Sequence, residues 1–213
     1  MRKTTSKLGP SLQLFSQVDV LLAKGRNLDV IAQVERLGSR LPVEDLERTA
    51  QAGLVAELAE RVTEDRHPLD GLYELTARAL ERLATAPDPR PDLAYFLSTA
   101  LQVLGYGIQV GSCASCGKQL RPEPATFSPS AGGFLCARCS DPALMRVSLP
   151  ALKVLRVLGS GDVELYRRLK LDDALLSEVE SVLELQLEFH LERRLKSLQI
   201  LKQLRGEHAR AAS

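Results

Sequence analysis

Tryptophan is absent from the 213 residues, and four Tyr with five Phe hold the aromatic share to 4%. So few aromatic rings exclude a binding mode that relies mainly on stacking nucleobases against side chains. An excess of one charge is also missing: 28 Lys+Arg stand against 27 Asp+Glu, a net of +1. That balance argues against a uniformly basic nucleic-acid binder, although a total conceals any segregation along the chain. No apolar run approaches the ~20 residues that a membrane span needs. Behind Met1, Arg2 and Lys3 there is no apolar stretch of the kind a secretory signal carries, so a cytoplasmic protein with no membrane contact is expected. Catalytic signatures are lacking too. There is no G-x-S-x-G, no phosphate-binding glycine loop and no dinucleotide fingerprint. The three histidines, His67, His190 and His208, are scattered and none stands at ligand spacing to a cysteine. The pairs Glu44-Asp45 and Asp172-Asp173 each precede an apolar helical stripe, where acids favour the helix dipole. Nothing in the sequence supports an enzyme.

The charge that is present is segregated. Residues 1–40 carry seven basic and three acidic side chains, a net of +4, and residues 190–213 also carry +4. Residues 41–112 carry −6 and residues 113–189 carry −1. Two basic ends therefore flank an acidic first half of the body. Solvated faces account for such runs in general. The sharper reading is contact with an anionic partner through Arg2, Lys3, Lys7, Lys24 and Arg26.

Periodicity divides the chain. Leu12, Leu14, Val18, Val20 and Leu22 fall on alternate positions, the period of a half-buried strand, and Leu28 to Val34 is rich in β-branched residues. Gly25-Arg26-Asn27 between them reads as a turn, so residues 1–40 are expected to form a small β region. From Val43 onward apolar residues step by three or four, predicting helices through Val62, from Leu72 to Leu83, and from Pro91 to Leu104. Ser148, with Pro150 behind it, should start a further helix to about Leu158. Asp172 to about Leu204 contains neither Gly nor Pro and predicts a helix of roughly 50 Å that bends or breaks near Leu191, with a frayed tail from Glu207.

Between these helices, residues 108–147 hold all four cysteines. Cys113-Ala114-Ser115-Cys116 and Cys136-Ala137-Arg138-Cys139 are two C-x-x-C pairs separated by residues 117–135. That spacing suits a four-cysteine zinc site, since Zn²⁺ takes four tetrahedral thiolates and a closed S₄ set leaves no position for catalysis. One structural Zn²⁺ per chain is expected. Two disulfides are the first alternative, disfavoured in a cytosolic setting. A redox C-x-x-C is the second, but the strand-then-helix context that would accompany it is missing.

The run Phe127-Ser128-Pro129, Gly132-Gly133 and Cys136-Ala137-Arg138-Cys139, with Cys113-Ala114-Ser115-Cys116-Gly117 before it, resembles the zinc module of the bacterial RecO family. Leu14-Phe15-Ser16-Gln17-Val18-Asp19-Val20, Asp70-Gly71-Leu72-Tyr73-Glu74-Leu75 and Leu101-Gln102-Val103-Leu104-Gly105-Tyr106 are similar to its β region and helical body. The resemblance implies an N-terminal OB-fold, represented here by a partial OB-fold-like region at 1–40, and a helical domain at 41–213 with the zinc insert at 108–147. It also implies a recombination mediator that binds single- and double-stranded DNA and anneals strands. Such a mediator associates with RecR and with the acidic tail of single-strand-binding protein, and helps load a RecA-type recombinase. About 40 residues precede the first helix, whereas a five-stranded barrel needs on the order of 50 or more, so a start assigned too late or a reduced barrel is expected. The rival expectation is a protein–protein adaptor with no DNA contact, in which Arg193, Arg194 and Lys196 receive an acidic peptide.

Overall fold

The computed structural model describes residues 12–26, 28–37, 45–63, 69–191 and 195–211. The basic residues Arg2, Lys3 and Lys7, the histidine His67 and the pair Arg193 and Arg194 lie outside them.

Strands β1 (Val18–Ala23) and β2 (Val30–Arg36) pair antiparallel around the expected turn. The pairing runs from Val18 opposite Arg36 to Ala23 opposite Val30, with a register shift between Leu21 and Leu22. Leu12 and Leu14 do not belong to it. Ser16 N–H closes a turn onto the Gln13 carbonyl, and Phe15 takes a left-handed backbone (φ 62°), so alternation there reflects a turn rather than a pleat. Leu21, Leu22, Leu28 and Val30 remain exposed, which leaves the ribbon outside the main core. Phe15 packs against that core, and Gln17 Nε2 approaches Tyr73 Oη at 3.4 Å.

The body is built from α1 (Leu46–Val62), α2 (Leu72–Thr85), α3 (Arg90–Val103), α4 (Leu149–Ser160), α5 (Val163–Arg167), α6 (Asp173–His190) and α7 (Lys196–Ala211). Local caps start several of them: the side chains of Asp45, Ser148, Asp162 and Asp172 each accept a backbone N–H three residues on. Helix α1 packs on α2 and α7, α3 packs on α2, α4 and α6, and α4 also meets α6. Leu54, Leu58, Phe96, Leu97, Leu152 and Leu183 form part of one continuous buried cluster.

The break expected near Leu191 is present, so the stretch from Asp172 to Leu204 is two helices. Leu191 caps α6, and α7 begins afresh at Lys196. The reason lies on α1. Glu57 Oε1 accepts from Lys196 N–H (3.1 Å), and Glu57 Oε2 accepts from Ser197 N–H (2.8 Å) and Ser197 Oγ (2.6 Å). A carboxylate from a distant helix thus satisfies the first donors of α7 and lets it turn back along α1. The tail is not frayed as expected: α7 continues through Ala211. Helix α5 escaped the sequence reading because five residues are too few to show a period.

Behind the apolar core sits a charged array. Glu180, whose side chain is 3% exposed, receives Arg90 Nη2 at 2.7 Å and Arg205 Nη2 at 2.9 Å. Arg205 also reaches Glu47 and Glu184, so α1, α3, α6 and α7 meet through one carboxylate-centred cluster. Burial raises the carboxyl of Glu184 above its ordinary value, against the pull of Lys202 and Arg205.

Two outcomes are expected. Glu180→Ala removes the buried carboxylate that joins Arg90 and Arg205, leaving them Asp173, Glu47 and Glu184, and should cost about 1–3 kcal/mol in denaturant unfolding. At Glu57, burial pushes the carboxyl up, but Ser197 and Lys196 outweigh it and hold the pKa at about 2. A lowered folded pKa stabilises the protein above the unfolded value near 4.5 and loses that stabilisation as pH falls toward about 2. Thermal melts of Glu57→Gln should show a lower Tm at neutral pH and a shallower acid dependence than the parent over that window.

Candidate metal centre and cation positions

Each C-x-x-C pair is folded into a tight turn by its own backbone. Gly117 N–H donates to the Cys113 carbonyl (2.8 Å), Cys113 N–H donates to the Lys118 carbonyl (2.7 Å), and Ser112 bridges antiparallel to Gln119. Gly117 has φ +73°, a backbone that glycine adopts without penalty. In the second pair, Cys139 and Ser140 N–H both donate to the Cys136 carbonyl (2.9 Å). Neither pair opens a helix, as a redox motif would.

A small sheet holds the two turns together. Strands β3 (Ala125–Ser128), β4 (Gly133–Leu135) and β5 (Arg146–Val147) run in the order β4-β3-β5. Ala114 N–H donates to the Phe134 carbonyl (2.8 Å), and Cys136 N–H points at Cys113 Sγ (3.3 Å). Gly133 is required by close approach: a Cβ there would stand 2.5 Å from the Gln109 carbonyl oxygen. Phe127 and Phe134 are fully buried with ring centroids 5.3 Å apart, and both join the core shared with the helices. The cysteine ribbon is therefore seated on the helical body, and Arg156 of α4 adds a bond from Nε to the Val110 carbonyl at 3.0 Å.

The four sulfurs lie within 4.8 Å of one another, and Cys116 Sγ and Cys136 Sγ are 3.7 Å apart. Tetrahedral bonds of ~2.3 Å to a common ion place sulfurs about 3.8 Å apart, whereas a disulfide needs ~2.05 Å. All four cysteines are free thiols. Their thiols influence one another in opposite directions. Burial raises the Cys113 thiol, but backbone N–H groups, that of Cys136 foremost, hold it down at about 6. The Cys139 N–H, foremost among its hydrogen bonds, lowers Cys136. At Cys139 a hydrogen bond with Ser115 lowers the thiol, yet Cys116 and Cys136 push it up to about 11. Thiolates this close resist ionising together unless a metal ion sits among them. The donor set fits a soft dication held in a closed, structural manner.

The remaining residues singled out in the sequence are dispersed. Lys24 and Arg26 stand exposed at the end of the β1–β2 ribbon. Asp45 and Asp172 are helix caps. His190 stacks on Tyr106 (centroids 4.2 Å, 11° between planes) and meets Gln186 Nε2 at 3.0 Å through its own Nε2. Lys196 occupies the first turn of α7. Two features went unnoticed in the sequence. One is a cavity of about 670 Å³ between α2, α3 and α5, with Leu75, Phe96 and Leu171 in its lining and Arg78, Arg82 and Arg167 among its charges. The other is a groove of about 450 Å³ on the cysteine ribbon lined by Lys118, Arg121, Arg138 and Arg146. Counting charge within 108–147 alone would have flagged the second, since four basic residues face two acids there.

Fold and site together define a helix-rich protein carrying a four-cysteine ribbon on its own core. Comparison with known proteins makes that specific. Residues 43–199 match the family described as Recombination protein O C terminal. The chain is 36% identical over 207 residues to the DNA repair protein RecO of Desulforudis audaxviator, covering 95% of this chain and 82% of that protein. It is 33% identical over 207 residues to the RecO of Dehalococcoides mccartyi, with 96% and 82% covered, and 32% identical over 211 residues to that of Symbiobacterium thermophilum, with 96% and 83% covered. The chain belongs to the RecO family of DNA repair proteins. No helix among the described residues is long and apolar enough to cross a membrane.

Metal analysis of protein purified under reducing conditions should return about one ion per chain. Cys136→Ser should abolish retention, lower Tm by several degrees and leave most of the far-ultraviolet helical signal. Gly133→Ala should lower Tm while leaving all four ligands in place.

Proposed function

We propose that this protein acts in homologous recombination by binding DNA, promoting strand annealing and helping load a RecA-type recombinase onto single strands coated by single-strand-binding protein. The observation that carries this reading is family membership across about 95% of the chain. Lys24 and Arg26, exposed at the ribbon's end, are the proposed phosphate contacts, together with Arg2, Lys3 and Lys7, which lie outside the described residues. Annealing follows from screening the repulsion between two strands, with no bond made or broken by the protein. The ion held by Cys113, Cys116, Cys136 and Cys139 is proposed to be Zn²⁺ in a purely structural role. A non-catalytic role accords with Asp45 and Asp172 serving as caps and His190 lying against Tyr106.

The second reading, a protein–protein adaptor without DNA contact, is favoured by the α2–α3–α5 cavity. Its lining joins Leu75, Phe96 and Leu171 to Arg78, Arg82 and Arg167 and to the acids Glu74, Asp88 and Asp92; with Arg82 and Arg167 already paired to Asp92 and Glu164, Arg78 is the cation through which an acidic peptide, such as the tail of single-strand-binding protein, would be received. Of the Arg193, Arg194 and Lys196 cluster expected to receive such a peptide, only Lys196 lies among the described residues, in the first turn of α7. RecR is the further partner proposed. The two readings differ in whether the protein itself contacts DNA; peptide capture by the cavity is compatible with either.

Affinity for a single-stranded oligonucleotide should fall roughly hundredfold between about 50 and 200 mM salt if five cations meet phosphates. A flat salt response in fluorescence anisotropy would sink the DNA-binding reading. Arg78→Glu should weaken capture of the acidic tail peptide without changing DNA affinity.

A further inference from the structure

We infer that the groove on the cysteine ribbon is a second DNA contact, taking the phosphate backbone of a single strand. The inference rests on the DNA-binding reading above and locates part of that binding away from the N-terminal residues. Lys118, Arg121, Arg138 and Arg146 all line one groove, and all four are exposed. Glu123 is the one acid in the lining. Among the described residues no side-chain hydrogen bond or ion pair engages any of these four cations, although Arg48, Arg61, Arg82, Arg90, Arg167 and Arg205 elsewhere in the protein are each paired with a carboxylate. The backbone N–H of Arg138 helps hold Cys136, whereas the side chains of the four cations make no recorded bond to a cysteine sulfur and are left to face the groove.

The walls identify the occupant. Leu120, Ala125 and Leu135 are buried beneath the groove, no large exposed apolar side chain lines it, and no aromatic ring does. An acidic peptide with apolar anchors finds no pocket here, in contrast to the α2–α3–α5 cavity. A sugar–phosphate backbone needs only cations and polar donors, and Gln119, Thr126 and Ser140 supply the latter. Without stacking surfaces the contact reads no base, which suits a protein that must engage any sequence.

The metal centre sets the spacing of this groove. Lys118 follows Cys116 by two residues, and its carbonyl closes the first turn; Arg138 lies inside the second C-x-x-C. Arg146 is fixed by the pairing of β5 with Thr126. Cation placement and ion retention are therefore linked.

The test uses the full chain and a fluorescent single-stranded oligonucleotide in a salt titration. Three proteins are compared: the unaltered chain, a groove variant (Arg121→Glu with Arg146→Glu, both outside the C-x-x-C turns) and a ribbon variant (Lys24→Glu with Arg26→Glu). Metal content and Tm are measured for each, and Lys118→Gln with Arg138→Gln serves as a milder second groove variant. Expected is a fall of about tenfold or more in affinity for the first groove variant at unchanged metal content. Its log–log salt slope should be reduced by about 1.4, the value for two lost phosphate contacts on a single strand. Chelation of the ion from the unaltered chain should weaken DNA binding in the same direction. Undiminished affinity in both groove variants overturns the groove while leaving DNA binding intact. Displacement of DNA from the groove by the acidic tail peptide, lost in the groove variants, overturns the assignment in favour of a peptide site. Absence of DNA binding by the unaltered chain overturns the function reading and this one with it.

Discussion

Each helix leaves unpaired N–H groups at its start and unpaired carbonyls at its end, and this body of short helices has many such ends to satisfy. The protein meets that constraint by lending side chains from one helix to the terminus of another. Glu57 of α1 caps the start of α7. Glu178 of α6 accepts from Ser148 N–H at 2.7 Å and so braces the start of α4. Arg48 of α1 donates from Nη1 to the carbonyls of Leu83 and Ala86 at 2.7 and 2.8 Å, where α2 ends. Gln102 Nε2 of α3 reaches the Leu158 carbonyl in the last turn of α4. Carboxylates stand at N-termini and a guanidinium at a C-terminus, the arrangement that helix dipoles favour. Apolar burial compresses the bundle, and these reciprocal caps fix where each helix begins and stops.

That fixed scaffold is what makes a small metal ribbon useful. Strands of two to four residues have too little area to hold a shape alone. Phe127 and Phe134 anchor the ribbon in the helical core, Gly133 lets two backbones meet, and the four sulfurs close the far side. Apolar contact anchors one side of these few strands, and the four cysteines able to hold an ion gather on the other. The outward residues between those anchors are then free to carry charge.

The parts legible in the sequence were those determined locally. Asp45, Ser148 and Asp172 announce helix starts because the cap and the N–H it receives lie three residues apart. The C-x-x-C spacing likewise encodes its own geometry, and the four sulfurs do converge. What was hidden depends on distant partners. The break near Leu191 was expected, but its cause was not legible: no Gly or Pro marks it, and the residue that caps the new helix is Glu57, far upstream. Nothing in the sequence singles out Glu180 and Glu184, yet they are buried, with Arg90 and Arg205 arriving from other helices. Leu12 and Leu14 mimic a strand by alternation alone, which a turn closed at Gln13 also permits.

The clasp between α1 and α7 carries a consequence for how the chain acquires its structure. Glu57 and Ser197 are separated by 140 positions, so the helix that one of them caps cannot take its final place until almost the whole body has emerged and collapsed. Such a long-range closure raises contact order and slows folding relative to a bundle of sequential hairpins. During synthesis α1 would wait with its apolar flank uncovered while the cysteine ribbon is already within reach of an ion. Early metal capture would then serve as a foothold for the middle of the protein, and the final helix would act as the latch that shuts it.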